Sequence, residues 1–161
     1  MEIELCRVRH EDSDIFERLF QFFAYDFSEL NGMDIGNDGK YHGLNDIPDY
    51  FAKSDYCSYF IKVDNKYAGL AVIKFNESEG TNYLRHFFIL RKYRKHKVGQ
   101  IAVHRIFDNF TGKWIVSQFD FNIPAITFWR KVIDRYTNGD YIEKRRDDNK
   151  GPQQEFLKKK E

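Results

Sequence analysis

At 161 residues the chain is long enough to bury a real core, and one domain over 1–161 is the expectation. Its 26 Lys and Arg against 25 Asp and Glu leave a net charge of +1, which argues against bulk attraction to nucleic acid. Cys6 and Cys57 are too few for a disulfide framework, and no Cys/His spacing suits zinc. The start, Met1-Glu2-Ile3-Glu4, lacks the basic head and apolar run of a signal peptide, and no apolar run approaches the ~20 residues of a membrane helix. The expectation is a cytoplasmic protein with no metal and no membrane partner. Its 16 Phe and 10 Tyr predict a core and a cleft built from rings.

Ile3, Leu5 and Val8 lie in a short extended segment, the first predicted strand. Asp12 or Ser13 supplies an N-cap. Ile15, Phe16, Leu19, Phe20, Phe23, Phe27 and Leu30 then recur at helical spacing until Asn31-Gly32 breaks the helix. Residues 31–49, rich in Gly, Asn and Asp, read as a long loop of the kind that forms a lid or binding wall. A short helix is expected at 49–53. Strands at 58–63 and 67–75, joined by a turn at 64–66, form a hairpin. A turn at 76–81 leads into a strand at 83–90. A helix at 99–110 follows, then a strand at 114–118 and a helix opening at Asn122, with Pro124 in its first turn. Strands at 140–144 and 153–157 complete the order.

The stretch 83–110 organises the chain. An apolar run, Tyr83-Leu84-Arg85-His86-Phe87-Phe88-Ile89-Leu90, is followed by a basic loop, Arg91-Lys92-Tyr93-Arg94-Lys95-His96-Lys97, and then by the helix. The first N–H groups of a helix have no partner inside it, and the helix dipole places partial positive charge there. Strand, cationic turn and helix together make an anion-binding device suited to phosphate.

The run Ile89-Leu90-Arg91-Lys92-Tyr93-Arg94-Lys95-His96-Lys97-Val98-Gly99 resembles motif A of the GNAT N-acetyltransferase superfamily, Arg/Gln-x-x-Gly-x-Gly/Ala after a strand end. Arg94 and Gly99 fall on its first and last fixed positions, and Lys97 stands where the first glycine usually sits. The order β-α-β-β-β-α-β-α-β-β is also that of the family, and Asn122-x-x-Ala125-x-x-Phe128 resembles its second cofactor segment. Asp26-Phe27-Ser28 and Phe128-Trp129-Arg130-Lys131 resemble a poorly characterised bacterial branch. The resemblance implies an α/β (α+β) fold: a mostly antiparallel sheet of six or seven strands, splayed between strands 4 and 5, with about four helices. It also implies an acyltransferase that moves an acetyl group directly from acetyl-coenzyme A to an amine, on a small molecule or a protein. A homodimer fits the resemblance too.

The same resemblance distributes the roles. Residues from Arg94 through Lys95, His96, Lys97, Val98 and Gly99 to Gln100 would hold the pyrophosphate, with charge-assisted bonds from Arg94 and Lys95 or Lys97. Phe88, Ile89 and Leu90 would pair with the pantetheine arm, and the Ile89 or Leu90 N–H would stabilise the thioester oxygen. Asn122 would bond the pantetheine, next to Ala125, and Phe128 would wall the thiol end. His86 occupies a place where relatives carry a base. Asp26, Glu29 and Tyr41 would line the acceptor side. Trp129 stands where many relatives have an acidic tyrosine, so either Tyr136 or another tyrosine serves, or the thiolate leaves unassisted or is protonated by water, or the protein is a non-catalytic coenzyme A sensor. From the residues alone, a nucleic-acid binder using the 91–97 loop is a further alternative, at odds with the neutral net charge.

Overall fold

The computed structural model describes residues 1–43 and 47–160; Leu44, Asn45 and Asp46, within the predicted 31–49 loop, lie outside it, as does Glu161. Among the described residues seven strands form one sheet and four α-helices flank it. β1 (Ile3–Arg7) leads through a short 3₁₀ turn into α1 (Ser13–Asn31), which closes on Gly32 in the left-handed conformation with φ 72°. α2 (Asp49–Ala52) precedes β2 (Tyr56–Val63), β3 (Lys66–Asn76) and β4 (Thr81–Ile89). α3 (Val98–Asp108), β5 (Gly112–Ser117), α4 (Ile123–Thr137), β6 (Ile142–Arg145) and β7 (Pro152–Lys158) follow. The predicted elements are present, with ends displaced by a few residues.

The sheet order is β1-β2-β3-β4-β5-β7-β6. Neighbours are antiparallel except β4 and β5, which pair in parallel over three residues: Thr81 with Lys113, Asn82 with Trp114 and Tyr83 with Ile115. Beyond Tyr83 the two strands part, so the second half of β4 presents a backbone edge to a cleft. The predicted splay between the fourth and fifth strands is therefore present.

Helices cover both faces. β3 is buried from Ala68 to Ile73, as expected of a strand with apolar cover on each side. Alternation sends Leu70 and Val72 toward α1, where they pack with Phe16, Leu19, Phe20 and Phe60. Ala71 and Ile73 face α3 and α4, packing with Val103, Ile106, Phe107 and Trp114. A Cβ at Gly69 would lie 2.1 Å from the Phe88 carbonyl oxygen, so β3 and β4 approach this closely only with glycine there.

One irregularity sets the site. Val72 pairs with His86 but Ile73 pairs with Leu84, which makes Arg85 the inserted residue of a β-bulge. The insertion resets the alternation. Leu84 packs on the α3 side, whereas His86 and Phe88 turn toward α1. Phe87 and Ile89 turn toward α3 and α4.

Candidate active site

A cleft of about 730 Å³ opens where β4 and β5 part, walled by α1, the end of β4, the loop after it, the first turn of α3, and α4. Its two ends differ in chemistry.

At one end α3 begins without a side-chain cap. Lys97 takes the cap position with φ 62°, and Lys95 has φ 66°, both in the left-handed region that glycine usually supplies. Each lysine holds this turn at some conformational cost. The amides of Val98, Gly99 and Gln100 are the open first donors of the helix. Gly99 faces Phe128 across the cleft, where an added Cβ would come within 3.3 Å of the ring. Lys95, Lys97 and Gln100 line this end, joined by Lys131 and by Arg135, which donates to Gln100 Oε1 at 2.8 Å.

Arg94 does not point into this anion site as expected. Its Nε donates to the Ile89 carbonyl at 2.8 Å and its Nη2 to Asp26 Oδ2 at 2.6 Å. Arg91 Nε donates to the other oxygen of Asp26 at 2.8 Å. Asp26 is therefore not an unpaired carboxylate waiting for a cationic acceptor: α1 carries it directly over the β4 end, where the two arginines neutralise it. Partial burial alone would raise its pKa, but the hydrogen bonds from Arg94 and Arg91 outweigh that and hold it below the usual carboxylate range.

At the end of β4 the backbone divides its duties. Leu90 N–H donates to Ala68 C=O at 2.8 Å, so that amide belongs to the sheet and is not an oxyanion donor. Strand alternation turns the Ile89 amide the other way, toward the cleft. Phe87 and Phe128 stack with ring centres 6.1 Å apart, and Trp129 meets Phe87 edge-on at 5.3 Å. Trp129 is 7% exposed and lines the cleft. Asn122 Oδ1 accepts the Ala125 N–H at 3.3 Å, capping α4 and fixing the orientation of its amide group.

The structure thus gathers Phe88, Ile89, Arg94, Lys95, Lys97, Gly99, Gln100, Asn122, Ala125 and Phe128 around one cavity, with Asp26 and Glu29. The side chains of Leu90, His96 and Val98 do not line it; Val98, the first residue of α3, is buried in the core and His96 is exposed on the loop. Tyr41 lies elsewhere. Its backbone is held at both ends by the Gln21 side chain, at 2.8 and 3.0 Å, and it lines a separate polar groove of about 530 Å³ with Asp14, Glu17 and Arg18. His86 is half-buried on the α1 face. Its Nε2 lies 2.8 Å from the Tyr50 hydroxyl, and Phe20 and Phe23 press edge-on against its ring. Phe23, not His86, lines the cleft. Tyr136 bonds Asp108 at 2.7 Å and packs on Phe107 and Phe156, and it does not line the cleft.

Sequence reasoning missed Phe23, Phe27, Leu30, Phe87, Arg91, Lys131 and Arg135 as cleft residues. Phe23, Phe27 and Leu30 are legible as a helical stripe, which does not say what the stripe faces. Nothing in the sequence marks Arg135, whose partner is 35 positions away.

The uncapped start of α3 and the gap between β4 and β5 thus share one cleft. The sequence matches the acetyltransferase (GNAT) family over residues 16–133. The fold resembles an acetyltransferase from Thermus thermophilus (TM-score 0.74, 14% identity, 98% of this chain and 97% of that one). It also resembles a GNAT-family acetyltransferase from Staphylococcus aureus (TM-score 0.69, 15% identity, 98% and 100%). A third likeness is to the PaiA N-acetyltransferase of Thermoplasma acidophilum in complex with coenzyme A (TM-score 0.64, 12% identity, 98% and 99%). No protein of curated function matches the sequence. The chain belongs to the GNAT family of acetyltransferases and is an acyltransferase. Among the described residues, no helix is long and apolar enough to cross a membrane.

Proposed function

We propose that the protein is an acetyl-coenzyme A-dependent N-acetyltransferase that moves the acetyl group directly onto a primary amine. The observation that carries the reading is the uncapped start of α3, with Lys97 in a glycine-like turn, opening into the gap between β4 and β5. The residues present fit the cosubstrate: open amides and Lys95 and Lys97 suit a diphosphate, and an edge of β4 with Asn122 suits an amide-rich arm. When bound, acetyl-coenzyme A supplies an activated thioester.

The chain's residues then divide the work. Val98, Gly99 and Gln100 offer the phosphates their N–H groups. Asn122 Nδ2 and the outward Ile89 backbone orient the arm. The Ile89 N–H faces the place where negative charge develops on the acyl oxygen. Phe87, Phe128 and Trp129 keep water from the thiol end. Trp129 donates no useful proton, and a thiol pKa near ~8.5 lets the thiolate leave unassisted. Behind Phe23, with Nε2 against Tyr50, His86 has no direct line to an amine in the cleft. The amine loses its proton to water, and His86 supports the wall.

Free-thiol release on adding acetyl-coenzyme A and an amine panel tests the reading. Calorimetry of coenzyme A against the wild type and Lys97→Ala is the companion measurement. No binding and no thiol release would remove the proposal. His86→Ala is expected to keep kcat within about threefold; a loss near 100-fold, on the scale of a lost general base, would restore the base to His86.

A further inference from the structure

The end of the cleft away from Lys97 is walled by rings that the α3 side of the core does not use. Phe23 and Phe27, one turn apart on α1, stack nearly parallel, with centres 5.7 Å apart and planes inclined by 12°. Phe23 also meets Phe88 edge-on at 5.9 Å. Phe27 also meets two rings that do not line the cleft, Phe119 at 6.3 Å and Phe121 at 5.9 Å, which stack on each other in the segment between β5 and α4. A strap of rings therefore joins the α1 side to the β5 side. Most of these rings remain partly exposed: Phe23, Phe27 and Phe119 are half-buried, and Phe121 is 46% exposed. Of these, Phe23 and Phe27 are both partly bare and part of the cleft lining, where an apolar wall can receive a ligand.

The charges narrow the class further. Among the described residues the cleft holds two acids, Asp26 and Glu29, against six bases, Arg91, Arg94, Lys95, Lys97, Lys131 and Arg135. Asp26 is already neutralised by Arg91 and Arg94. Of these two acids, Glu29 is left to attract an ammonium, which suits one cationic centre. A polyamine would bring several charges to a wall that answers one of them.

Resting on the N-acetyltransferase reading, we propose that the acceptor is a monoamine on a flat apolar body, an arylalkylamine, and that Phe23 and Phe27 form the face on which its ring lies. Offset or edge-on contact with two rings favours an aromatic body over an alkyl chain of similar length. The ammonium, near the same rings before it loses its proton, gains a cation–π contribution.

The test compares 2-phenylethylamine and tyramine with butylamine and spermidine, by thiol release at saturating acetyl-coenzyme A. The aryl amines are expected to have kcat/KM about tenfold above butylamine, carried mostly in KM. Phe27→Leu should erase that preference while leaving coenzyme A affinity unchanged. Phe121→Ala, at an exposed position that tolerates truncation, should reduce it by a smaller factor. Spermidine as the best acceptor, or an aryl preference that survives Phe27→Leu, would overturn the inference. Binding of 2-phenylethylamine to the coenzyme A-loaded protein, followed calorimetrically, separates the two layers of argument. Binding that weakens in Phe27→Leu without any turnover sustains the ring platform and defeats the transferase reading. Neither binding nor turnover of the aryl amines defeats the platform.

Discussion

The two ends of the cleft are built in opposite ways. The anion end comes from one continuous run, from Lys95 to Gln100, reinforced by α4. The ring end collects Phe23 and Phe27 from α1 and Phe88 from β4, with Phe119 and Phe121 from the segment after β5 in contact with Phe27. A site made of neighbours in sequence carries its geometry in local backbone chemistry: helix start, left-handed turns, lysines. A site made of distant segments exists only while the fold holds them together. The ends should therefore fail separately, one through cofactor affinity and the other through acceptor choice.

The largest expected effect breaks the anion end alone. Gly99→Phe places a ring where Phe128 already stands 3.3 Å from an added Cβ, and coenzyme A affinity should fall at least about 100-fold, near 2.7 kcal/mol by calorimetry. The fold should survive, since the neighbours an added Cβ meets, Phe128 and Ile89, are side chains of the cleft lining. Next, Lys97→Ala should weaken coenzyme A about tenfold through one lost charge-assisted bond. Lys97→Gly should lose the same affinity but gain roughly 1 kcal/mol of stability, because φ 62° is costless for glycine. Equal behaviour of the two variants in both assays would mean that the lysine's backbone turn is not strained.

Away from the cleft, Glu155 bonds Lys113 at 2.6 Å and Lys144 at 2.9 Å on β7. Burial would raise its pKa, but the lysines and Gln153 pull it from 4.5 to about 2. The sign follows: the unfolded chain binds this proton more readily, so the pair stabilises the fold above pH 4.5 and the contribution is lost as pH falls toward 2. Glu155→Gln should cost about 1–2 kcal/mol at neutral pH, discounted for the half-exposed lysines, and flatten the acid side of a Tm–pH curve.

The smallest effect tests the link between the two ends. Asp26→Asn frees Arg91 and Arg94 and should cost less than about 1 kcal/mol near neutral pH, as expected of a partly exposed pair. Its lowered pKa means that the wild type gives up this contribution only below the ordinary carboxylate range. If the link matters to the cleft, both coenzyme A affinity and acceptor KM should move together in this variant; movement of one alone would show the ends to be independent.

The order of elements along the chain, the helix periods and the cationic loop were readable because each depends on residues within a turn or two of one another. Gly99 at a helix start and Asn122 three residues before Ala125 announce their geometry in the same way. Tertiary structure decided what depends on distant partners. A one-residue bulge at Arg85 turned His86 away from the α3 and α4 face and toward Phe20 and Phe23. Docking of α1 gave Asp26 to the arginines rather than to an acceptor, and turned part of an apparent core stripe into a wall. Register and side-chain direction are set by long-range packing, and a linear pattern shows that a face is apolar without showing what lies across from it.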